Sequence, residues 1–229
     1  MGTGINMIAI VVGSLAGLII KSRLPQRYVE IIFQALGLFT IYMGVKLAFD
    51  NQSILGLILS LVVGGLIGEG LRLEDRLNHF GQWLRSRLGR QGKGETGFAE
   101  GFVNAFLLFG VGPMATLGAL QEGLGEGIEI LLTKSLLDGI ASIALAAGLG
   151  VGVALSAPLV GLYQGVLTLF AHSLAPHIGE PEIAALSAAG GVMLVGLGLN
   201  LLRITNLRVT NLLPGLLVAI PMHYFFSAV

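Results

Sequence analysis

The sequence predicts an all-α fold, a polytopic transmembrane helical bundle of about eight spans. Three observations carry that prediction: long uninterrupted apolar runs, a scarcity of charge, and a one-sided distribution of the charge there is. Of 229 residues, 54% are hydrophobic and only 11% charged, against roughly 25% charged in a typical soluble domain. So few charges cannot make a polar shell around a soluble core of this size, and lipid is the alternative solvent. Helices are favoured over strands because the runs are continuous and lack the alternation of barrel strands.

Each span takes about 20 mostly apolar residues. The first covers 4–20. Its first basic residue, Lys21, follows the apolar run instead of preceding it, so it reads as a retained helix and not a cleaved signal. The second and third cover 29–49 and 53–71. Residues 72–97 are the one substantial polar stretch. In them Leu73, Leu77, Phe80, Leu84 and Leu88 recur at helical spacing among arginines, as in an amphipathic helix lying on a membrane surface. Trp83 suits that interfacial position, and a solvated linker helix is the competing reading. The fourth span, 98–120, is interrupted by Gly110, Gly112 and Pro113; proline removes a backbone donor and frees a carbonyl one turn earlier. The spacing therefore predicts a broken or kinked helix. Spans at 128–148 and 154–174 are separated only by the short uncharged turn Gly148–Val153, the weakest joint in the count. The last two cover 183–202 and 210–228.

The basic residues test this arrangement. Segments 21–28, 72–97 and 203–208 hold 11 of the 13 Lys and Arg residues, and with eight spans all three fall on one side. The positive-inside rule makes that side cytoplasmic. The expectation is a multi-pass protein of a bacterial inner membrane, treated as a single domain over 1–229, with both termini periplasmic or extracellular.

Composition also narrows chemistry. Net charge is zero, so nothing draws the chain to nucleic acid. There is no cysteine, and the four histidines include no pair at zinc-motif spacing. No metal, no cofactor and no enzymatic activity are expected.

Polar groups inside the spans are the candidate site. Lys134 and Asp138 stand four apart on one face of the fifth span, with Ser135 and Ser142 alongside. A charge at the bilayer centre costs about 2.5–3.5 kcal/mol on insertion scales, so an ionisable residue there points to function. A structural ion pair that fixes helix register is the alternative. Asn6, Gln164 and Asn200 are further buried polar candidates expected near the pair. Gly112 and Pro113 are candidates because a helix broken in the membrane often lends its ends to a ligand.

Small residues four apart (Gly13/Gly17, Gly64/Gly68, Gly148/Gly152, Gly161/Gly165) predict close helix packing and suit a homodimer seam. Ala35-Leu36-Gly37 with Gly44, and Ala189-Gly190-Gly191 with Gly198, share a pattern of glycines seven apart in spans of opposite direction. That suggests an inverted internal repeat.

Several stretches together resemble the YdfK/YqgA-type family of uncharacterised bacterial inner-membrane proteins. They are Met1–Asn6 with Gly13–Gly17, Gly112–Gly118 followed by Gly123-Leu124, Lys134–Gly139, Tyr163–Leu169, Gly196–Asn200 and Asn211–Pro214. The resemblance spans essentially the whole chain. It implies an inner-membrane location and transfers no catalytic or binding residue.

The reading is a transporter of a small solute or ion, using an intramembrane Lys/Asp site in a lipid bilayer. The alternative is a structural or regulatory membrane protein that docks a partner on the amphipathic helix. A membrane-embedded enzyme ranks last, because no nucleophile, base or metal cluster stands at working spacing.

Overall fold

The structure is a computed structural model that describes residues 1–20, 25–49, 53–88, 96–110 and 113–226. Among the described residues eleven α-helices follow in order: α1 Gly2–Ile20, α2 Gln26–Ala48, α3 Ile54–Leu71, α4 Leu73–Leu88, α5 Thr96–Gly110, α6 Pro113–Leu124, α7 Glu129–Leu149, α8 Gly152–Leu155, α9 Ala157–Leu174, α10 Glu180–Leu201 and α11 Pro214–Phe226. Among the described residues there is no strand. Seven segments are long and apolar enough to cross a membrane. An eighth is a bent pair, Gly101–Gly110 and Met114–Leu124, whose axes differ by 52°. The fourth span is thus broken where glycine and proline interrupt it. The α7–α9 joint is a real turn: Gly150, at φ 81°, ends α7 in a conformation that favours glycine.

Local chemistry sets the other boundaries. Ser53 caps α3, its hydroxyl accepting from the Gly56 N–H at 3.2 Å. Arg72, left-handed at φ 49°, ends α3 and turns the chain into α4. Glu182 accepts from the Gly179 N–H at 2.9 Å and so closes the start of α10.

The amphipathic helix of residues 72–97 is present as α4, and residues 89–95 lie outside the description. Phe80 meets Phe106 of α5 edge-on, with ring centres 6.1 Å apart. Trp83 is 52% exposed and stacks on Phe80, with Arg87 over its ring. The first turn of α4 is pinned by the Asn211 side chain, which accepts from the Glu74 N–H at 2.8 Å. Asn211 also donates to Glu69, which pairs with Arg208. Burial in this knot pushes the Glu74 carboxyl above its usual value, opposed by Arg208.

Exposed apolar side chains recur at helical spacing, as in Ile8, Val12, Leu15 and Ile19 on α1 and Leu55, Ile58, Leu59, Val62 and Leu66 on α3. Rows of this extent are the outward faces that lipid covers. Inside, two clusters of buried apolar residues form. One contains Phe106 and Phe109 of α5 with Ile10, Ala141 and Val160. The other contains Met114, Leu117 and Leu120 of α6 with Leu186, Met193 and Leu216. Leu137 packs against both. The two halves of the broken span therefore belong to different clusters.

Glycines hold the long helices together. A Cβ on Gly44 would stand 2.6 Å from the Gly191 carbonyl oxygen, and one on Gly198 2.7 Å from that of Gly37. The two seven-residue glycine patterns face each other antiparallel across α2 and α10. Gly64 lies against Gly215, and Gly68 against the Asn211 carbonyl. Two of the expected small-residue pairs pack with only one member: Gly152 and Gly161 have close neighbours, whereas Gly148 and Gly165 have none within 4 Å.

These contacts separate two classes of substitution. Gly44→Val is expected to lower stability by about 1–3 kcal/mol or more, because backbone cannot move aside as a side chain would. Gly165→Ala is expected to be neutral or to gain up to about 0.5–1 kcal/mol from helix propensity. Thermal unfolding in detergent measures both, and equal losses would refute the packing assignment.

Candidate functional site

Helix α7 presents Lys134 and Asp138 one turn apart on its inward face. They are 4% and 7% exposed, and the Lys134 ammonium donates to the Asp138 carboxylate. Ser135 is also buried, but its hydroxyl donates to the Leu131 carbonyl at 2.6 Å and is thereby occupied locally. Ser142, one turn beyond Asp138, is fully buried and its hydroxyl has no partner.

Helix α1 brings the third polar group. It runs parallel to α7: Gly2 faces Leu131, Gly13 the Gly139 carbonyl and Gly17 the Ile143 carbonyl. A Cβ on Gly13 would lie 2.1 Å from that oxygen, so only glycine allows this approach. The approach sets Asn6 level with the pair. Its amide lies beside the Asp138 carboxylate and donates to Gln164 Oε1 of α9 at 3.3 Å. Asn6 and Gln164 are both fully buried. Three helices thus build one polar line, Lys134–Asp138–Asn6–Gln164, inside an apolar bundle.

A cavity with about 60 Å³ of room for water-sized centres adjoins the pair. That exceeds the roughly 10–15 Å³ a single water needs, so the space can take water or a small solute. Lys134, Asp138 and Thr40 are its polar contributors. Phe33, Leu36, Phe109, Met114, Leu137 and Leu201 make most of the rest. Phe109 and Met114 come from either side of the break between α5 and α6. Without the bend their walls could not both face α7.

A wider polar cleft of about 550 Å³ lies at the arginine-bearing end, between α2 and α10. Gln26, Glu30, Gln34, Asn200 and Arg203 line it. Phe33 and Leu201 are walls of both cleft and cavity, and they are the side chains between the cleft and the charge pair.

The structure brings Lys134, Asp138, Ser135, Asn6 and Gln164 together, with Ser142 farther along the same face. It does not bring Asn200. That side chain lies at the end of α10, donates to the Leu207 carbonyl at 2.7 Å and accepts from Thr205 and the Leu207 N–H. Its work is to shape the turn before α11, because a helix end needs its free backbone groups satisfied. Pro113 opens α6, and Gly112 lies outside the described residues. Residues not anticipated include Thr40, which sits three residues after Gly37 on the buried face, and Thr116, bonded to Tyr163 at 3.1 Å. Glu122 accepts from the Gly2 N–H at 2.7 Å and from Thr3 at 3.2 Å. Its signal in the sequence is an acid just past the end of the fourth span, ahead of Glu126. Among the described residues, no group of three His, Asp or Glu side chains is arranged to hold a metal ion.

Comparison with known proteins gives the chain its family. Residues 1–224 match the family described as "Protein of unknown function (DUF554)". The chain is similar to "Uncharacterized membrane protein YdfK" of Bacillus subtilis (strain 168), with 33% identity over 222 residues, covering 95% of this chain and 93% of that protein. It is also similar to "Uncharacterized protein YqgA" of Escherichia coli (strain K12), with 29% identity over 231 residues, covering 100% of this chain and 98% of that protein. No solved structure matches. The chain belongs to the DUF554 family, and it is a multi-pass membrane protein.

The pair's energetics can be tested directly. Lys134→Leu leaves a buried carboxylate without its cation and is expected to cost about 3–5 kcal/mol. Lys134→Leu with Asp138→Leu removes both charges and should recover most of that loss. If the double variant unfolds no later than the single one, the two side chains are not energetically coupled.

Proposed function

We propose that this DUF554 member transports a small solute or ion across the bacterial inner membrane, with Lys134 and Asp138 as its charge-coupled site. The observation that carries the reading is the cavity at the bend of the fourth span, where a buried ammonium and carboxylate share an apolar wall. A bound cation would compete with Lys134 for Asp138. A bound anion would compete with Asp138 for Lys134. Either way the pair must open, and the open state is costly unless the solute replaces the lost partner. That is the energetic requirement for coupling a solute to a change of state.

The cleft at the arginine-bearing end supports an approach from the cytoplasm, the side the positive-inside rule assigns to that end. Both termini then face the periplasm. The reciprocal glycine contacts between α2 and α10 support the inverted repeat, since equivalent glycines of opposite-running helices meet as partners would about a two-fold axis in the membrane plane. A second reading, docking of a partner on α4, is favoured by the exposed Trp83 and Phe80. Neutralising the α4 arginines would impair docking and leave transport unchanged.

Two measurements test the transporter reading. In proteoliposomes surveyed with protons, sodium and small organic ions, the wild-type protein should move at least one of them. Asp138→Asn should reduce that flux by about a hundredfold, the scale of losing a positioned proton-transfer group; unaltered flux would end the assignment. Because the natural chain has no cysteine, Gln34→Cys gives a single reporter. It should react with a membrane-impermeant thiol reagent in inside-out vesicles and not in intact spheroplasts.

A further inference from the structure

The charge pair is not the only unusual polar feature of the interior. Among the described residues, the buried side-chain atoms without a hydrogen-bond partner are Asn6 Oδ1, Ser14 Oγ, Ser142 Oγ, Gln164 Nε2 and Thr168 Oγ1. All five lie on α1, α7 and α9, the three helices that build the polar line. Native interiors contain few such atoms, and an ordered water or ion is their usual explanation.

Their order along the helices is regular. Asn6 and Ser14 are eight residues apart on the buried face of α1, Asp138 and Ser142 four apart on α7, and Gln164 and Thr168 four apart on α9. Asn6 and Gln164 are joined by their hydrogen bond, so the steps run end to end. At 1.5 Å rise per residue they extend over about 18 Å. Thr168 lies where α9 meets α6: the Thr168 carbonyl would stand 2.3 Å from a Cβ on Gly123. The neighbouring Glu122 is held by Gly2 and Thr3. This end is opposite the arginine-bearing cleft. A single coordinated ion cannot satisfy groups spread over such a length, whereas a file of water can.

We infer that water held between α1, α7 and α9 forms a proton route that runs from the Glu122 end of the molecule by way of Thr168, Gln164 and Asn6 to Asp138, and on past it toward Ser14 and Ser142. This rests on the transporter reading and names its coupling ion. A proton passed along the file forms an O–H bond on the Asp138 carboxylate and breaks that oxygen's bond to Lys134. When the pair re-forms, that O–H bond breaks and the proton passes to water on the Ser14 and Ser142 side of Asp138. The other groups facing Asp138 are the Lys134 ammonium on its own helix, the Asn6 amide on α1 and the Thr40 hydroxyl on α2. The α5, α6 and α10 walls of the cavity add only apolar side chains. Asp138 is therefore the one acid at the meeting point of file and cavity.

The test begins with water itself. In ¹⁵N-labelled protein in lipid bilayers, water-edited solid-state NMR should transfer polarisation to the Gln164 side-chain amide as readily as to that of the exposed Gln82. Gln164→Leu identifies the signal by its loss. A Gln164 amide that receives nothing from water overturns the inference. In proteoliposomes with a lumenal pH dye and a potassium diffusion potential, proton flux should depend on Asp138. Gln164→Leu and Ser142→Ala should each lower it at least about tenfold, with Ser60→Ala as the unchanged control. Proton flux that survives both variants also overturns the inference. So does an Asp138-dependent sodium flux without proton flux, an outcome that leaves the transporter reading standing. The transporter reading itself falls separately, if no flux of any kind depends on Asp138.

Discussion

A carboxylate and an ammonium enclosed in an apolar bundle constrain everything around them. Each is expensive to bury alone, and their attraction offsets that cost only while they touch and their remaining hydrogen-bonding capacity is met. The helix that carries Lys134 and Asp138 must therefore be enclosed on the side that bears them, while Leu132 and Leu136 on the other side are exposed. A polar group must also reach the carboxylate from a second helix, and Asn6 does so because Gly13 and Gly17 let α1 lie against the backbone of α7. The pair and the glycines are thus parts of one solution.

In lipid, helices gain nothing from hiding apolar surface from water, so association rests on close packing and interhelical hydrogen bonds. The same device recurs where α1 meets α7, α2 meets α10 and α3 meets α11, each through glycines that meet backbone. The halves of the broken span use the same device and add side-chain contacts to it: Gly123 of α6 meets the Thr168 carbonyl and Gly152 the Phe98 carbonyl of α5, while Gly118 of α6 faces the side chains of Ile130 and Leu131, and the side chain of Leu117 fills the space beside Gly190.

Much of this was legible in the sequence. Span number, the bend at Gly110–Pro113, the amphipathic α4 and the Lys134–Asp138 pair all follow from apolar run length, helix-breaking residues and helical spacing, which are local properties. What was not legible depends on how helices meet. Asn200 looks like Asn6 in the sequence, a lone amide in an apolar run, yet it is the next-to-last residue of α10 and serves the turn beyond it. Ser14 and Thr168 carry no local mark that separates them from ordinary packing residues; only the assembled bundle shows their hydroxyls without partners. Thr40 was invisible for the same reason, since its place in the cavity wall depends on how α2 lies against α10. The glycine patterns at 37/44 and 191/198 were visible as a likeness, but not as each other's contact.

The position of the break now acquires a physical meaning. The fourth span passes from one apolar cluster to the other between Phe109 and Met114, and Leu137, next to Asp138, packs against both clusters. Unbroken helices join the same two clusters through Leu36 and Leu47 of α2, Ile130 and Ala141 of α7, and Val160 and Ala171 of α9; among the described residues the fourth span alone crosses between them at a proline and glycine break, where a helix is least able to resist bending. The charge pair sits on α7, at the level where both clusters meet. In the proposed transport reading, a solute or proton that changes the bonding of the pair would act at the level where both clusters meet, and this location, beyond the pair's chemistry, is what argues for that reading over a pair that only fixes helix register.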